Sequence, residues 1–217
     1  MSERRAPTGD KIFAIEQRRV RGFYAQSARA TRPVVDEFIH GVSFTALSLT
    51  GQKEALMNAR IYVNSKLSLA RNASTGRKVA GHLRGAKEAI ESVYHDSRVR
   101  REARRITTDI RGTQYEFATE MVRDEAKYLL VLAELTGNAV YVTEALRRFD
   151  RALRIATEPT IKTLVAFEKA RVLFDRQRTP KKFSRVTDSF RKAVIASSEA
   201  GNWERTATIS AWYLIDA

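Results

Sequence analysis

The amino-acid sequence predicts an all-α chain, stacked antiparallel helical hairpins behind a basic helical front half. Three observations predict it. Turn formers are scarce, with 10 Gly and 4 Pro in 217 residues, whereas sheet-rich chains need many. Apolar residues recur three and four apart through most of the chain, the period of a helix with one buried face. The back half also repeats part of its own pattern, as stacked helical units do.

Met1 to Gly9 reads as a flexible basic arm, with Pro7 and no apolar period. Asp10 is placed to cap a helix whose apolar face is Ile12, Phe13, Val20, Phe23 and Tyr24, with Arg18, Arg21 and Arg29 on the far side. Pro33 disfavours the α conformation at Arg32, so this helix is expected to end at Thr31-Arg32-Pro33. From Val34 to Ala73 the pattern predicts two or three helices, interrupted at Gly41 and at Thr50-Gly51. Asn72-Ala73-Ser74-Thr75-Gly76 is the clearest loop of the front half. A long helical stretch is expected from Arg77 to Asp109, with a candidate break at His95-Asp96 and an end at Gly112. Tyr115 to Leu135 is one strongly periodic helix, stopped by Thr136-Gly137-Asn138. These signals divide the chain into an arm (1–9), a basic helical region (10–111) and a helical-hairpin region (112–217).

In that last region Ala145, Phe149 and Ala152 are matched by Val186, Phe190 and Ala193, each set at i, i+4, i+7 on a helix. The stretch Leu129, Leu132, Ala133, Gly137-Asn138, Ala145, Phe149, Ala152, Pro159 resembles one tetratricopeptide hairpin. The connecting turn is about two residues longer than the family norm, and the second copy matches poorly. The resemblance covers residues 112–217 and implies an α-solenoid used for protein contacts, without catalysis.

Composition excludes several classes. No Cys is present, which removes disulfides, thiolate nucleophiles and thiolate metal sites. The longest apolar approach, Tyr128 to Leu135, contains Glu134, far short of the roughly 20 apolar residues of a membrane span. No secretory leader is expected, and the location expected is cytoplasmic. The formal net charge is +14, held mostly by the front half: residues 1–111 carry 22 Lys and Arg against 11 Asp and Glu, residues 112–217 carry 17 against 14. Arg outnumbers Lys 28 to 11, and guanidinium forks match phosphate geometry. The competing explanation for the Arg excess is a GC-rich genome.

The most informative segment is Ser97 to Arg111. Read as helix, it sets Val99, Ala103, Ile106 and Ile110 on an apolar stripe and Arg100, Arg101, Arg104, Arg105 and Arg111 on the opposite arc, with Arg98 at the edge. Like charges in a row destabilise a helix unless an anion neutralises them, so the expectation is a phosphate-backbone track. The bland alternative is a solvated face. Arg147, Arg148, Arg151 and Arg154 form a second basic face opposite Leu146, Phe149 and Leu153, more simply read as solvated. Arg18 and Arg21 stand beside Phe23 and Tyr24 as in single-strand binders, although rings on an apolar stripe are more often core.

Catalytic signals are thin. His95-Asp96 is similar to the signature of metal-dependent HD phosphohydrolases, but the further His and Asp that signature needs are offered only loosely by His82 and Asp109. Glu116, Glu120 and Asp124 form an i, i+4, i+8 carboxylate row beside Arg123 and Lys127, expected to be a salt-bridged surface rather than a cation site. No catalytic residue, metal or cofactor is therefore assigned. At the C-terminal end, Trp203, Trp212, Tyr213 and Ile215 add to an apolar stripe, expected to be covered by the front half or by a second copy of the chain. The favoured function is a non-enzymatic binding protein. Its front half would engage nucleic acid or another polyanion through Arg98, Arg100, Arg101, Arg104, Arg105, Arg111, Arg18 and Arg21, and its back half would contact proteins. The alternative is a pure protein–protein adaptor whose charge selects an acidic partner.

Overall fold

The computed structural model describes residues 22–40, 43–110 and 113–176, together with Arg191, Lys192, Val194, Ile195 and Ser198. The described residues are 84% helical, so the described part of the chain is all-α apart from one short β-hairpin. They fall into two compact units, drawn from Met1–Thr107 with Leu130–Gly137 and from Thr108–Leu129 with Asn138–Ala217.

The first unit begins with α1 (Tyr24–Ile39), whose buried face is Ser27, Ala28, Thr31, Val34 and Val35. Pro33 lies inside this helix, where the sequence predicted an end. A proline there removes one backbone hydrogen bond, a cost of about 3 kcal/mol in a helix interior. Burial of Val34 and Val35 directly after it, at 5% and 0% exposure, outweighs that cost. Thr31 Oγ1 donates to the Ser27 carbonyl, 2.9 Å away, a bond that often accompanies a bent helix. A 3₁₀ turn (Phe44–Ala46) follows, its Phe44 ring buried 5.9 Å from the Phe38 ring.

Helix α2 (Leu49–Arg71) then starts where a break was expected at Thr50-Gly51. Ser48 decides this, because its hydroxyl accepts from Gly51 N at 3.2 Å and caps the first turn. Glycine in a first turn costs little when the cap is present. From Ala55 to Val63 nearly every side chain of α2 is buried, and both α1 and α3 pack on it. The loop at Asn72–Gly76 is present as expected. Helix α3 (Gly76–Ala89) follows, with the Thr75 hydroxyl accepting from Lys78 N.

The long helix expected over 77–109 is instead divided. After α3 comes a π-helical segment (Ile90–Tyr94) that buries Ile90, Val93 and Tyr94. The break at His95-Asp96 is real: the Asp96 carboxylate accepts from Arg98 N at 2.7 Å and Val99 N at 2.9 Å. It thereby starts the short helix α4 (Ser97–Ala103). Beyond Ala103 the chain forms a two-stranded sheet, β1 (Thr107–Ile110) and β2 (Thr113–Glu116). Ile106-Thr107-Thr108 is a run of β-branched residues, which favours extended backbone over a helix. The helical period read through this segment was therefore coincidental.

Helix α5 (Phe117–Thr136) contributes residues to both units. In the first unit its Glu134 accepts a two-pronged bond from Arg71, at 2.7 and 2.9 Å. In the second, Phe117 to Ala126 is buried at every position except Ala118. Gly137, at φ +69°, takes the left-handed conformation that glycine adopts without strain, and Asn138 caps α6 (Ala139–Ile155) through Val140 N. The turn is where the sequence placed it. Helix α6 buries Val142, Ala145, Phe149 and Ala152 and packs on α7 (Pro159–Arg176). Ala170 and Leu173 of α7 form a small core with Leu146, Ala166, Phe167 and Val194. Val186, Phe190 and Ala193, the second copy of the pattern, lie outside the described residues.

Candidate nucleic-acid interface

The arginines singled out between Ser97 and Arg111 do not share one helical face. Helix α4 is seven residues long, so Arg104 and Arg105 stand in the turn after it. Val99 and Ala103 are buried as expected, and Ile106 is buried from the turn. Arg100 has a structural task. Its Nε donates to the Tyr94 carbonyl at 2.6 Å, tying α4 back to the π-helical segment. Arg98, Arg101, Arg104 and Arg105 are exposed. Arg105 Nη1 stands 4.0 Å from Glu102 Oε1, a surface pair at the limit of contact that contributes little. No ion pair to an acid holds Arg98, Arg101 or Arg104 among the described residues. The remaining predicted contacts, Arg111, Arg18 and Arg21, lie outside the described residues. So do Trp203, Trp212, Tyr213 and Ile215.

A second group of bases escaped the sequence reading. On α3, Arg77, Lys78, Arg84 and Lys87 are exposed, opposite the half-buried Val79 and Leu83 and the buried Ala86. Of these, Lys87 has an acid partner, Glu91, at 3.5 Å. Lys66 of α2 packs beside them because Gly85 has no side chain. A Cβ at Gly85 would lie 3.3 Å from Lys66 Cε and 3.1 Å from Tyr62 Oη. The Lys66 ammonium sits 5.3 Å from the Tyr62 ring centre, within cation–π range. Burial, then Lys66 and Lys78, hold the His82 imidazole below its ordinary pKa. The signal was available in the sequence, since Arg77 and Arg84 are seven residues apart and fall on one side of a helix.

The second unit places its charges differently. The carboxylate row expected on the surface is buried: Glu116 is 8% exposed, Glu120 1% and Asp124 0%. Glu120 and Asp124 are salt-bridged as anticipated, yet inside. Arg123 Nη1 donates to both Glu120 oxygens, at 3.0 and 2.9 Å. Its Nε and Nη2 each donate to Glu168 of α7 at 2.6 Å. Lys127 Nζ lies 3.8 Å from Asp124 and 3.7 Å from Glu168. Periodicity alone could not show this burial, because α5 is flanked on its charged side by α7, whose Glu168 completes the set.

Glu116 serves another end. One oxygen accepts from Thr157 N and Glu158 N, both at 2.8 Å, and from the Thr157 hydroxyl. The other accepts from Thr119 Oγ1 at 2.9 Å. It thus satisfies backbone donors just before α7, which are orphaned at any helix start. Glu116, Glu120 and Asp124 do not converge on a common point, and they form no cation cage. Of the basic face expected on α6, Arg147 and Arg148 meet acids, and no ion pair holds Arg151 or Arg154 among the described residues. Arg147 lies 3.2 Å from Glu144, and Arg148 reaches Glu144 at 2.7 Å. Arg148 Nε also stands 2.9 Å from Glu125 Oε2, close enough for an ion pair but out of line for a hydrogen bond.

An acid-stability prediction arises here. Burial pushes the Glu116 carboxyl up, but the bonds from Thr157, Glu158 and Thr119 outweigh it and hold it below the usual carboxylate range. Burial likewise raises Glu168, and Lys127 with Arg123 more than reverse this. A carboxyl whose folded pKa is depressed contributes stability that is complete above its unfolded value, 4.5. That stability is lost as pH falls through the folded value. Urea midpoints followed by circular dichroism should therefore be little changed by these two groups down to about pH 4.5 and fall below it. Glu116→Gln should flatten that acid limb. An unchanged limb in the variant would remove Glu116 from the account.

Comparison of the chain with protein-family models, with characterised proteins and with solved structures returned no match. Among the described residues no helix is long and apolar enough to cross a membrane.

Proposed function

We propose that the chain is a non-enzymatic binding protein whose basic first unit engages nucleic acid through Arg–phosphate contacts. The observation that carries this is the group Arg98, Arg101, Arg104 and Arg105: four exposed guanidinium groups within eight residues, three of them with no acid partner among the described residues. In the second unit Arg123, Arg147 and Arg148 meet carboxylates while Arg151 and Arg154 have no ion pair among the described residues, so what favours the first unit is the denser exposed group at 98–105. The second unit is read as the protein-contact half, built as tetratricopeptide-like hairpins. Burial of Ala145, Phe149 and Ala152 on one face of α6 supports that reading.

Phosphate contacts gain affinity by releasing counterions, so log K should fall linearly with log salt. Reversing Arg98, Arg101 and Arg104 to Glu should weaken all sequences alike and lower the slope by roughly three, about one per lost contact. Arg100 is left intact because its loss would disturb α4 itself. Fluorescence anisotropy with labelled DNA and RNA measures both quantities. Absence of binding to either polymer at low salt sinks the reading and leaves the pure adaptor in its place.

A further inference from the structure

The outward face of α3 carries charge beyond the group just described. From Thr75 to Ala86 the chain holds Arg77, Lys78, His82 and Arg84 and no acid. Two of these cations stand in the first turn, which has no acidic residue. Cations there oppose the helix dipole, at a cost of roughly 0.3–1 kcal/mol each. Arg77 and Arg84 lie on the same side, about 10.5 Å apart along the axis at 1.5 Å per residue. Between them on that side are only the exposed Ala80 and Gly81, so no side chain rises between the two guanidinium groups. Lys78 stands a residue on, about 100° round the helix from Arg77, and the stem of Lys66 crosses Gly85. Glu88, exposed one turn beyond Arg84 on the same side, and Glu91 in the π-helical segment end the basic run. Helix α3 packs on α2, with fewer contacts to α1, leaving this side open among the described residues.

We propose that this face of α3 docks on double-stranded nucleic acid, with Arg77, Arg84 and Lys78 on its phosphates. The proposal rests on the nucleic-acid reading given above and names the form of the polymer. A duplex offers two phosphate rows at fixed separation across a groove about 12 Å wide on its major side. Two arginines about 10 Å apart on a rigid helix match such a fixed spacing. A single strand has no fixed spacing and gains affinity by stacking its bases on aromatic rings. Among the residues whose side chains are described, Phe23 is the one exposed Phe, Tyr or Trp ring, and it precedes α1 rather than lying on α3.

The test compares a duplex of about two helical turns with one of its own strands, by anisotropy across a salt series. Wild type should prefer the duplex. Arg77→Glu with Arg84→Glu should weaken duplex binding roughly tenfold and lower the salt slope by about two. Both side chains are exposed, and circular dichroism checks that the variant folds. Should it not fold, Arg77→Gln with Arg84→Gln removes the same two charges without reversing them and should lower the slope by about two. Duplex binding unchanged in the double variant overturns the α3 assignment while leaving the reading on Arg98, Arg101 and Arg104 intact. A single strand bound as tightly as the duplex also overturns it. Binding to neither polymer instead removes the nucleic-acid function itself.

Discussion

Replacing Arg123 by Met should destabilise the protein by about 3–5 kcal/mol, the usual cost of breaking a buried ion pair from one side. The reason is what remains rather than what is lost. Glu120, 1% exposed, would lose the guanidinium from which both its oxygens accept. Glu168 would lose two bonds of 2.6 Å. Isolated carboxylates in such surroundings take up protons instead of staying charged, so the variant should also unfold at higher pH than wild type when acidified. Removing Glu120 as well, by Glu120→Gln in the Arg123→Met background, should recover part of the loss. The double-mutant cycle then isolates the pair. Urea denaturation followed by circular dichroism measures each variant. A loss below about 1 kcal/mol for Arg123→Met would mean that water reaches the cluster and that α5 and α7 are not held together by it.

The parts of the fold that were legible in the sequence are those decided by local chemistry. Asp96 and Gly137-Asn138 interrupt their helices because a carboxylate cap and a left-handed glycine act on the residues beside them. Helices α5 and α6 followed their apolar period closely, α5 starting at Phe117 where Tyr115 was read. Pro33 misled because its local cost is real and was outweighed by burial that no local rule measures. Thr50-Gly51 misled for the opposite reason: Ser48, two residues earlier, supplies a cap that turns an apparent break into a start. The β-hairpin was hidden by a coincidence, since Val99, Ala103, Ile106 and Ile110 keep helical spacing while Ile106 to Thr108 carry strand-forming side chains.

The same limit governs the candidate interface. Sequence spacing found Arg98, Arg101, Arg104 and Arg105 as a basic group, and they are exposed. It could not know that Arg100 is committed to the Tyr94 carbonyl, because that bond depends on the π-helical segment turning its last residue toward α4. Nor could it separate Arg77, Lys78 and Arg84 of α3, which have no ion pair among the described residues, from Arg147 and Arg148 of α6, which meet Glu125 and Glu144. Whether a charge is paired depends on the neighbouring helix, and the period of its own helix does not contain that information.

Phe149→Ala is the second large effect expected, about 3–5 kcal/mol for an aromatic lost from a closed core. Phe149 is 0% exposed, and so are Ala145 and Ala152 on the same face of α6. Small residues on both sides of the ring leave it as the main filler of that space, and alanine there would open a cavity that neighbouring small side chains cannot fill. Val140, on the same helix but 68% exposed, provides the control. Val140→Ala should change stability by no more than about 0.5 kcal/mol, as surface substitutions do. The comparison also bears on the repeat. Phe190 occupies the equivalent place in the second copy of the pattern, so the hairpin reading expects Phe190→Ala to cost as much as Phe149→Ala. If Phe149→Ala proves costly and Phe190→Ala costs less than about 1 kcal/mol, the two positions are not equivalent. The back half would then be a single hairpin with an added segment rather than a stack.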